Sequence, residues 1–254
     1  MRQMPRFLKQ IIIAGIFFGI IGLISYFSFF KDVDPQPANS VIIKPLEIRF
    51  KKFIKVKDFD YDFIVEIRNQ NSDYGAVEAS YELSLLDSQN QPAVIKKGSL
   101  YVLPNQTRYE IISPIKAEKE ISKFEFKINN VSWGKLKDYI PETLFLTKNR
   151  EYSLLPPAEG FSKLKATLFN SSSFDFDLVD VYIILFGRDD QILNVGKTDV
   201  RTFLASTERF FEIKWASPFE GEPLRIEIYP YTDVFKNENF IKVYGTQERF
   251  QEFY

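Results

Sequence analysis

Along most of the chain after residue 40, apolar and polar side chains alternate with a period of two. In 62–68, for example, Phe63, Val65 and Ile67 alternate with polar residues, and Ile64 alone interrupts the polar face. The segments 77–86 and 123–128 alternate in the same way. Successive side chains of a β-strand point to opposite faces, so this alternation predicts strands that bury one face. Because polar breaks recur roughly every 10 to 15 residues, we expect an all-β fold of antiparallel β-sandwiches.

The chain also matches itself at a fixed offset of 101 residues, which aligns Asn69 with Asn170 and Tyr81 with Tyr182. Further identical pairs are Ser72 and Ser173, Lys96 and Lys197, Leu103 and Leu204, Arg108 and Arg209, and Ile112 and Ile213. A single ungapped offset over about fifty residues is typical of an internal repeat. We therefore predict two tandem β-sandwich domains, at 41–134 and 135–242, followed by a tail at 243–254. The matched positions are expected to face the two cores or to mark turn edges.

The N-terminal segment predicts a membrane anchor. Residues 11–30 carry no charge, and as a helix they would span about 30 Å, the thickness of the hydrocarbon core. A cleaved signal peptide is the alternative, but this stretch is longer than the usual apolar region and no small-x-small cleavage site follows it. We therefore expect a transmembrane signal anchor at 11–30, with a Pro-containing linker at 31–40.

The charge distribution predicts the orientation of this anchor. Arg2, Arg6 and Lys9 lie before it, and no positive excess follows it. By the positive-inside rule, residues 1–10 stay in the cytoplasm and the rest of this single-pass cell-membrane protein lies outside. Gly15 and Gly19 form a small-xxx-small pair, so they are candidates for helix–helix packing in the bilayer.

Several kinds of chemistry are excluded by residue types that the chain lacks. It contains no His and no Cys, which excludes Ser–His and Cys–His dyads, thiolate nucleophiles and His- or Cys-ligated metals. No Gly-rich phosphate loop is present. We therefore predict no catalytic residues, no cofactor and no enzymatic activity. The net charge of −1 gives no general attraction to nucleic acid, so none is expected as a partner.

One cluster of carboxylates is a weak metal candidate. Asp58, Asp60 and Asp62 alternate, so in a strand they would share one face, where oxygen ligands can hold calcium. The interleaved Phe59 and Tyr61 would then be core residues, which makes the three carboxylates an ordinary solvent face. That interpretation is preferred, and no metal site is predicted.

Large aromatic residues recur near the predicted strand ends. Trp133, Trp215, Tyr229, Tyr231 and Phe235 are the members of this group. As exposed rings they would be binding anchors. Because small sandwiches depend on aromatic side chains for buried area, we expect them instead to cap the sandwiches or to seal the joint between them.

Each repeat carries a strand ending in Asn, a long apolar strand, an acidic turn and a short segment that begins with Leu and ends with Thr. In the first copy these are 67–69, 77–86, 87–90 and 103–107, and in the second copy 168–170, 178–186, 188–190 and 204–207. In this pattern the chain resembles the small immunoglobulin-like (Ig-like) domains of the FxLYD and LEA14 types. The resemblance implies two tandem Ig-like sandwiches and a non-catalytic role. Together with the anchor, the chain is similar to single-pass bacterial envelope proteins.

These features lead to an expectation about function. We expect a membrane-anchored, non-catalytic protein whose exported tandem domains bind, scaffold or space other components, as an accessory subunit of an envelope complex. Its partners would be the lipid bilayer, through residues 11–30, and an envelope protein whose identity the sequence leaves open. A pilin-like filament subunit is the alternative, although the chain lacks the Gly-Phe cleavage site and the acidic residue typical of that class. An enzyme with an unrecognised site is the remaining alternative.

Overall fold

The computed structural model describes residue 7 and residues 15–23, 42–136 and 144–241. It divides the chain into two compact units, 1–42 and 43–254.

In the first unit, residues 15–23 form an exposed helix. The other residues of the predicted anchor, the linker at 31–40 and nearly all of the N-terminus at 1–10 lie outside the described residues, as does the tail at 243–254. No helix in the described part of the chain is long and apolar enough to cross a membrane.

The second unit is built almost entirely from β-strands. The first six are β1 (Glu47–Lys57), β2 (Asp60–Arg68), β3 (Tyr74–Leu86), β4 (Pro92–Val102), β5 (Thr107–Lys116) and β6 (Lys123–Lys135). The next six are β7 (Phe145–Leu154), β8 (Ser162–Asn170), β9 (Phe176–Phe186), β10 (Ile192–Phe203), β11 (Glu208–Trp215) and β12 (Arg225–Tyr231). Two short 3-10 helices lie at Arg188–Asp190 and Asn237–Asn239. The prediction of an all-β, antiparallel fold is therefore confirmed.

The strands form four three-stranded sheets that repeat one pattern. In the first half the orders are β1-β2-β5 and β4-β3-β6, and in the second half β7-β8-β11 and β10-β9-β12. Every pairing is antiparallel. The two sheets of each half face one another across an apolar core, so each half is a β-sandwich. The predicted division at 134/135 lies just before the undescribed residues 137–143 and stays a prediction.

The alternation in β2 is confirmed, because Phe63, Val65 and Ile67 are completely buried in the core of the first sandwich.

Two other expectations are wrong, namely that Phe59 and Val77 would lie in the core. Phe59 is 44% exposed, since it lies in the tight β1–β2 turn rather than in a strand. Val77 is only half-buried, and Ala76 takes the buried position, because the register of β3 shifts against both neighbouring strands at this point. A bulge of this kind exchanges the two faces of a strand.

The Asn that ends β2 and β8 has the same structural role in both sandwiches. Asn69 and Asn170 are completely buried. The side-chain amide nitrogen of Asn69 donates to the backbone carbonyls of Tyr74 and Leu103. That of Asn170 donates to the carbonyls of Phe174 and Phe203, and all four distances lie between 2.8 and 3.1 Å. Each side-chain oxygen accepts the backbone N–H two residues later. These bonds satisfy backbone groups where the chain crosses between the sheets, where no strand neighbour can do so.

Because each Asn satisfies several buried backbone groups, Asn69→Ala and Asn170→Ala should each lower the free energy of unfolding by roughly 2 to 4 kcal/mol. Urea denaturation followed by tryptophan fluorescence measures this change. The control is Gln70→Ala, which removes an exposed neighbouring amide and should change stability by less than about 0.5 kcal/mol. A loss at Asn69 no larger than that of the control would contradict the assigned role.

Candidate functional site

The two sandwiches share one continuous apolar contact, which we call the joint. Ile64 and Ile111 are buried neighbours on β2 and β5, and with Ile54 they lie on the outer face of the first sandwich. All three belong to the core cluster of the second sandwich. At the edge of this contact, the Lys52 Nζ donates to the carbonyl of Ile192 at 2.6 Å. Ile64, the one break in the polar face of β2, therefore marks an interface.

On the other side of the joint, both faces of β9 are buried. Every residue from Val181 to Phe186 is buried. Tyr182 points out of its own sandwich, and its hydroxyl donates to the Glu110 Oε2 at 3.0 Å. Its counterpart at the 101-residue offset, Tyr81, instead packs inside the first sandwich against Phe126. The expectation that matched positions face the cores is thus wrong for Tyr182, because β9 has an apolar partner on each face.

A buried arginine lies at the centre of the polar part of the joint. Arg108 is only 2% exposed, and its guanidinium lies 4.1 Å from the ring centroid of Tyr101 and 4.5 Å from that of Tyr231. These distances are those of cation–π stacking. Its Nη2 is 3.6 Å from the Glu110 Oε2. The repeat counterpart Arg209 is half-buried and donates to the carbonyl of Thr202 at 3.0 Å, so the same residue type has a different environment in each copy.

The aromatic residues near the strand ends divide between the two expected roles. The Tyr231 hydroxyl accepts the backbone N–H of Tyr109 across the joint at 3.1 Å, and the Phe235 ring lies against Tyr101. These residues seal the joint. Trp215, by contrast, belongs to the second sandwich, where its Nε1 donates to the carbonyl of Val195 at 2.8 Å.

Three buried polar groups in the joint have no hydrogen-bond partner among the described residues. They are the Nε and Nη1 of Arg108 and the hydroxyl of Tyr101. A buried donor without an acceptor costs about 1–3 kcal/mol, and more when the donor is charged. Both residues line a cavity of about 280 Å³ between the sandwiches, so this cavity is the candidate functional site.

The cavity wall carries charges of both signs. Its basic residues are Arg108, Lys197 and Lys236, and its acidic residues are Glu110, Asp177, Asp180, Asp233 and Glu238. Lys197 lies 4.0 Å from Asp180, and Lys236 lies 3.5 Å from Asp233. Burial raises the pKa of the Glu110 carboxyl, and the positive charge of Arg108 partly opposes this change. Burial likewise raises the pKa of Asp233. With three cations and five acids, the wall suits a ligand that itself carries both charges better than a simple anion.

The structure does not bring the weak metal candidates onto one exposed face. Asp58 lies in the β1–β2 turn with a positive φ of 47°, whereas Asp60 and Asp62 lie in β2. Asp62 is buried, and that burial raises its pKa, although a hydrogen bond with Ser113 opposes the change. Within 42–136 and 144–241, as in the other described residues, no group of three or more His, Cys, Asp or Glu is placed to hold a metal ion. The expectation that the Asp62 carboxylate lies on a solvent-exposed face is therefore wrong.

The helix-packing candidates Gly15 and Gly19 both lie in the helix at 15–23. A Cβ atom added to either residue would meet no described atom within 4 Å. Their role in packing against a second helix stays a prediction.

Comparison with known proteins leaves the family open. No protein-family model matches the chain, and no curated protein matches it. Among solved structures, red sea bream transglutaminase is similar over 74% of this chain, at 11% identity and a TM-score of 0.26, and the match spans only 31% of that enzyme. The calcium binding domain CBD12 of CALX1.1 is similar over 66% of this chain and 73% of its own, at 14% identity and a TM-score of 0.20. Likenesses this weak carry no argument about function.

The bond between Tyr182 and Glu110 can be tested directly. Tyr182→Phe leaves a buried carboxylate without its donor, so the free energy of unfolding should fall by about 1–3 kcal/mol. Tyr152→Phe is the matched control, because the Tyr152 hydroxyl is buried without a partner in the described part of the chain and its removal should be neutral or stabilising. Thermal unfolding at neutral pH compares the two variants. Equal effects would show that the bond across the joint contributes nothing.

Proposed function

We propose that this protein is a membrane-anchored, non-catalytic spacer whose two Ig-like sandwiches, related to the FxLYD and LEA14 types, work outside the cell as one rigid unit. The observation that carries the proposal is the joint. Ile64 is completely buried against the second sandwich, and Arg108 and Glu110 add a directional polar cluster beside it. A flexible binding array would need a polar, mobile connection between its domains, whereas a spacer needs a fixed angle.

The N-terminal sequence supports the membrane part of this proposal. The uncharged segment 11–30 follows three basic residues, and within it the helix at 15–23 exposes large apolar side chains such as Phe18, at 70%. Exposed apolar surface of this extent suits lipid better than water. The absence of His and Cys from the sequence supports a role without catalysis. The component held by the spacer would be another envelope protein.

Rigidity is tested by the distance between two spin labels. The chain has no Cys, so Ser88→Cys and Glu159→Cys place one label on an exposed turn of each sandwich. Pulsed electron paramagnetic resonance on the full chain in detergent should give one narrow distance distribution. Adding Ile64→Lys should broaden it, because a lysine charge in the joint costs several kcal/mol to bury. A broad distribution in the parent protein would overturn the spacer proposal.

The repeat supplies a matched control for this variant. Lys165 is the counterpart of Ile64, so the fold of one sandwich already accepts lysine at this position. Lys165→Ile changes the same position on the outer face of the second sandwich, where Lys165 pairs with Glu212, and should leave the distribution narrow. If both variants broaden the distance distribution equally, the broadening reflects a loss of sandwich stability rather than an opening of the joint.

Membrane topology is tested with single cysteines in intact cells. A membrane-impermeant maleimide should label Ser88→Cys before lysis, whereas Gln3→Cys, before the predicted anchor, should react only after lysis. Labelling of Ser88→Cys only after lysis would place the sandwiches in the cytoplasm and overturn the envelope assignment.

A further inference from the structure

We propose that the cavity in the joint binds a small zwitterion that carries one carboxylate and one ammonium group. This inference goes beyond the spacer role and requires only that the joint is closed. It starts from the donors of Arg108 and Tyr101, for which the described residues supply no acceptor. A ligand carboxylate is the acceptor that satisfies such donors best, because hydrogen bonds between guanidinium and carboxylate are charge-assisted.

Arg108 cannot satisfy its own donors by moving into water. Its guanidinium lies between the rings of Tyr101 and Tyr231, and its Nη2 faces Glu110. A side chain held on three sides keeps its remaining donors in fixed positions. A ligand that meets them therefore gives up little conformational entropy on the protein side, which is the advantage of a preorganised site.

The rest of the cavity wall indicates that the ligand also carries a positive group. Five acids against three basic residues give the wall a net negative charge, which would repel a simple anion. Asp177 lies on β9 and has no ion-pair partner among the described residues, whereas Asp180 is paired with Lys197 and Asp233 with Lys236. A carboxylate on Arg108 and an ammonium near Asp177 would complement both parts of the wall. The volume of about 280 Å³ is large enough for a molecule the size of an amino acid.

The second copy of the repeat does not form this site. Arg209 satisfies its Nη2 on a backbone carbonyl of its own sandwich. The site thus depends on the contact between the two sandwiches and not on the sandwich fold itself. This difference provides a matched control, because Arg108 and Arg209 can be changed in the same way in one molecule.

The test measures binding of defined probes to the full chain in detergent by isothermal titration calorimetry. Glycine, 4-aminobutyrate and 6-aminohexanoate form a zwitterion series of increasing length, and butyrate and butylamine carry one charge each. At constant ionic strength, we expect one zwitterion to bind at least about tenfold more tightly than either singly charged probe. Arg108→Lys, which keeps the charge but removes the guanidinium, should weaken that binding at least about tenfold, and Arg209→Lys should leave it unchanged.

Two further measurements keep the result decisive. The spin-label distance reports whether Arg108→Lys keeps the joint closed, and Asp177→Asn tests the ammonium end without changing the arginine. Asp177→Asn should weaken the best zwitterion severalfold and should not weaken butyrate binding. The proposal is overturned if no zwitterion binds up to about 10 mM, or if Arg209→Lys weakens binding as much as Arg108→Lys. If no zwitterion binds but the spin-label distance distribution is narrow, the ligand site is rejected and the spacer proposal stands.

Discussion

One cross-strand pair decides how the two sandwiches are joined. In the first sandwich, Ile64 on β2 lies opposite Ile111 on β5, and both side chains are buried under the second sandwich. At the same positions of the second copy, Lys165 lies opposite Glu212 and forms an ion pair with it at 3.9 Å. An apolar pair gains free energy only when another surface covers it, whereas an ion pair on a sheet face is compatible with water. The same backbone therefore builds an interface in one copy and a solvated face in the other.

The same contrast distinguishes the two kinds of face in stacked repeats. A face that meets a neighbouring unit is apolar, and a face that meets water is polar. The sheet that contains Lys165 and Glu212 has that polar character. Any surface that covered this sheet face would have to bury the ion pair, which is unfavourable unless new partners replace the water.

The strand pattern was predictable from the sequence, and so was a joint sealed by aromatic residues, but the central contacts of that joint were not. The alternation around Phe63 depends on the period of a single strand, so the pattern of residues carries it. The repeat marked Asn69 and Asn170 as matched positions, but it did not give their role, because each also donates to a carbonyl 33 or 34 residues away. The environment of Arg108 depends partly on the Tyr231 ring, which the other sandwich supplies, so the residues next to Arg108 in the chain do not determine it. Two features of the sequence did indicate where the sandwiches meet. Ile64 interrupts a polar face, and the run 181–186 is apolar on both faces, which is typical of a strand covered on each side.

The apolar and polar parts of the joint have different physical effects. Burial of the isoleucines holds the sandwiches together but has little directionality, so it tolerates several relative orientations. Arg108 and Glu110 contribute little net stability, because desolvation opposes the attraction between two buried charges. Their hydrogen bonds and ring contacts are directional, and a rotation of one sandwich would separate the Glu110 carboxylate from its hydrogen-bond donor, the Tyr182 hydroxyl. The polar cluster therefore selects one orientation, and a ligand that satisfies the remaining donors of Arg108 would stabilise that same orientation. Ligand binding and a fixed angle between the sandwiches would then reinforce each other.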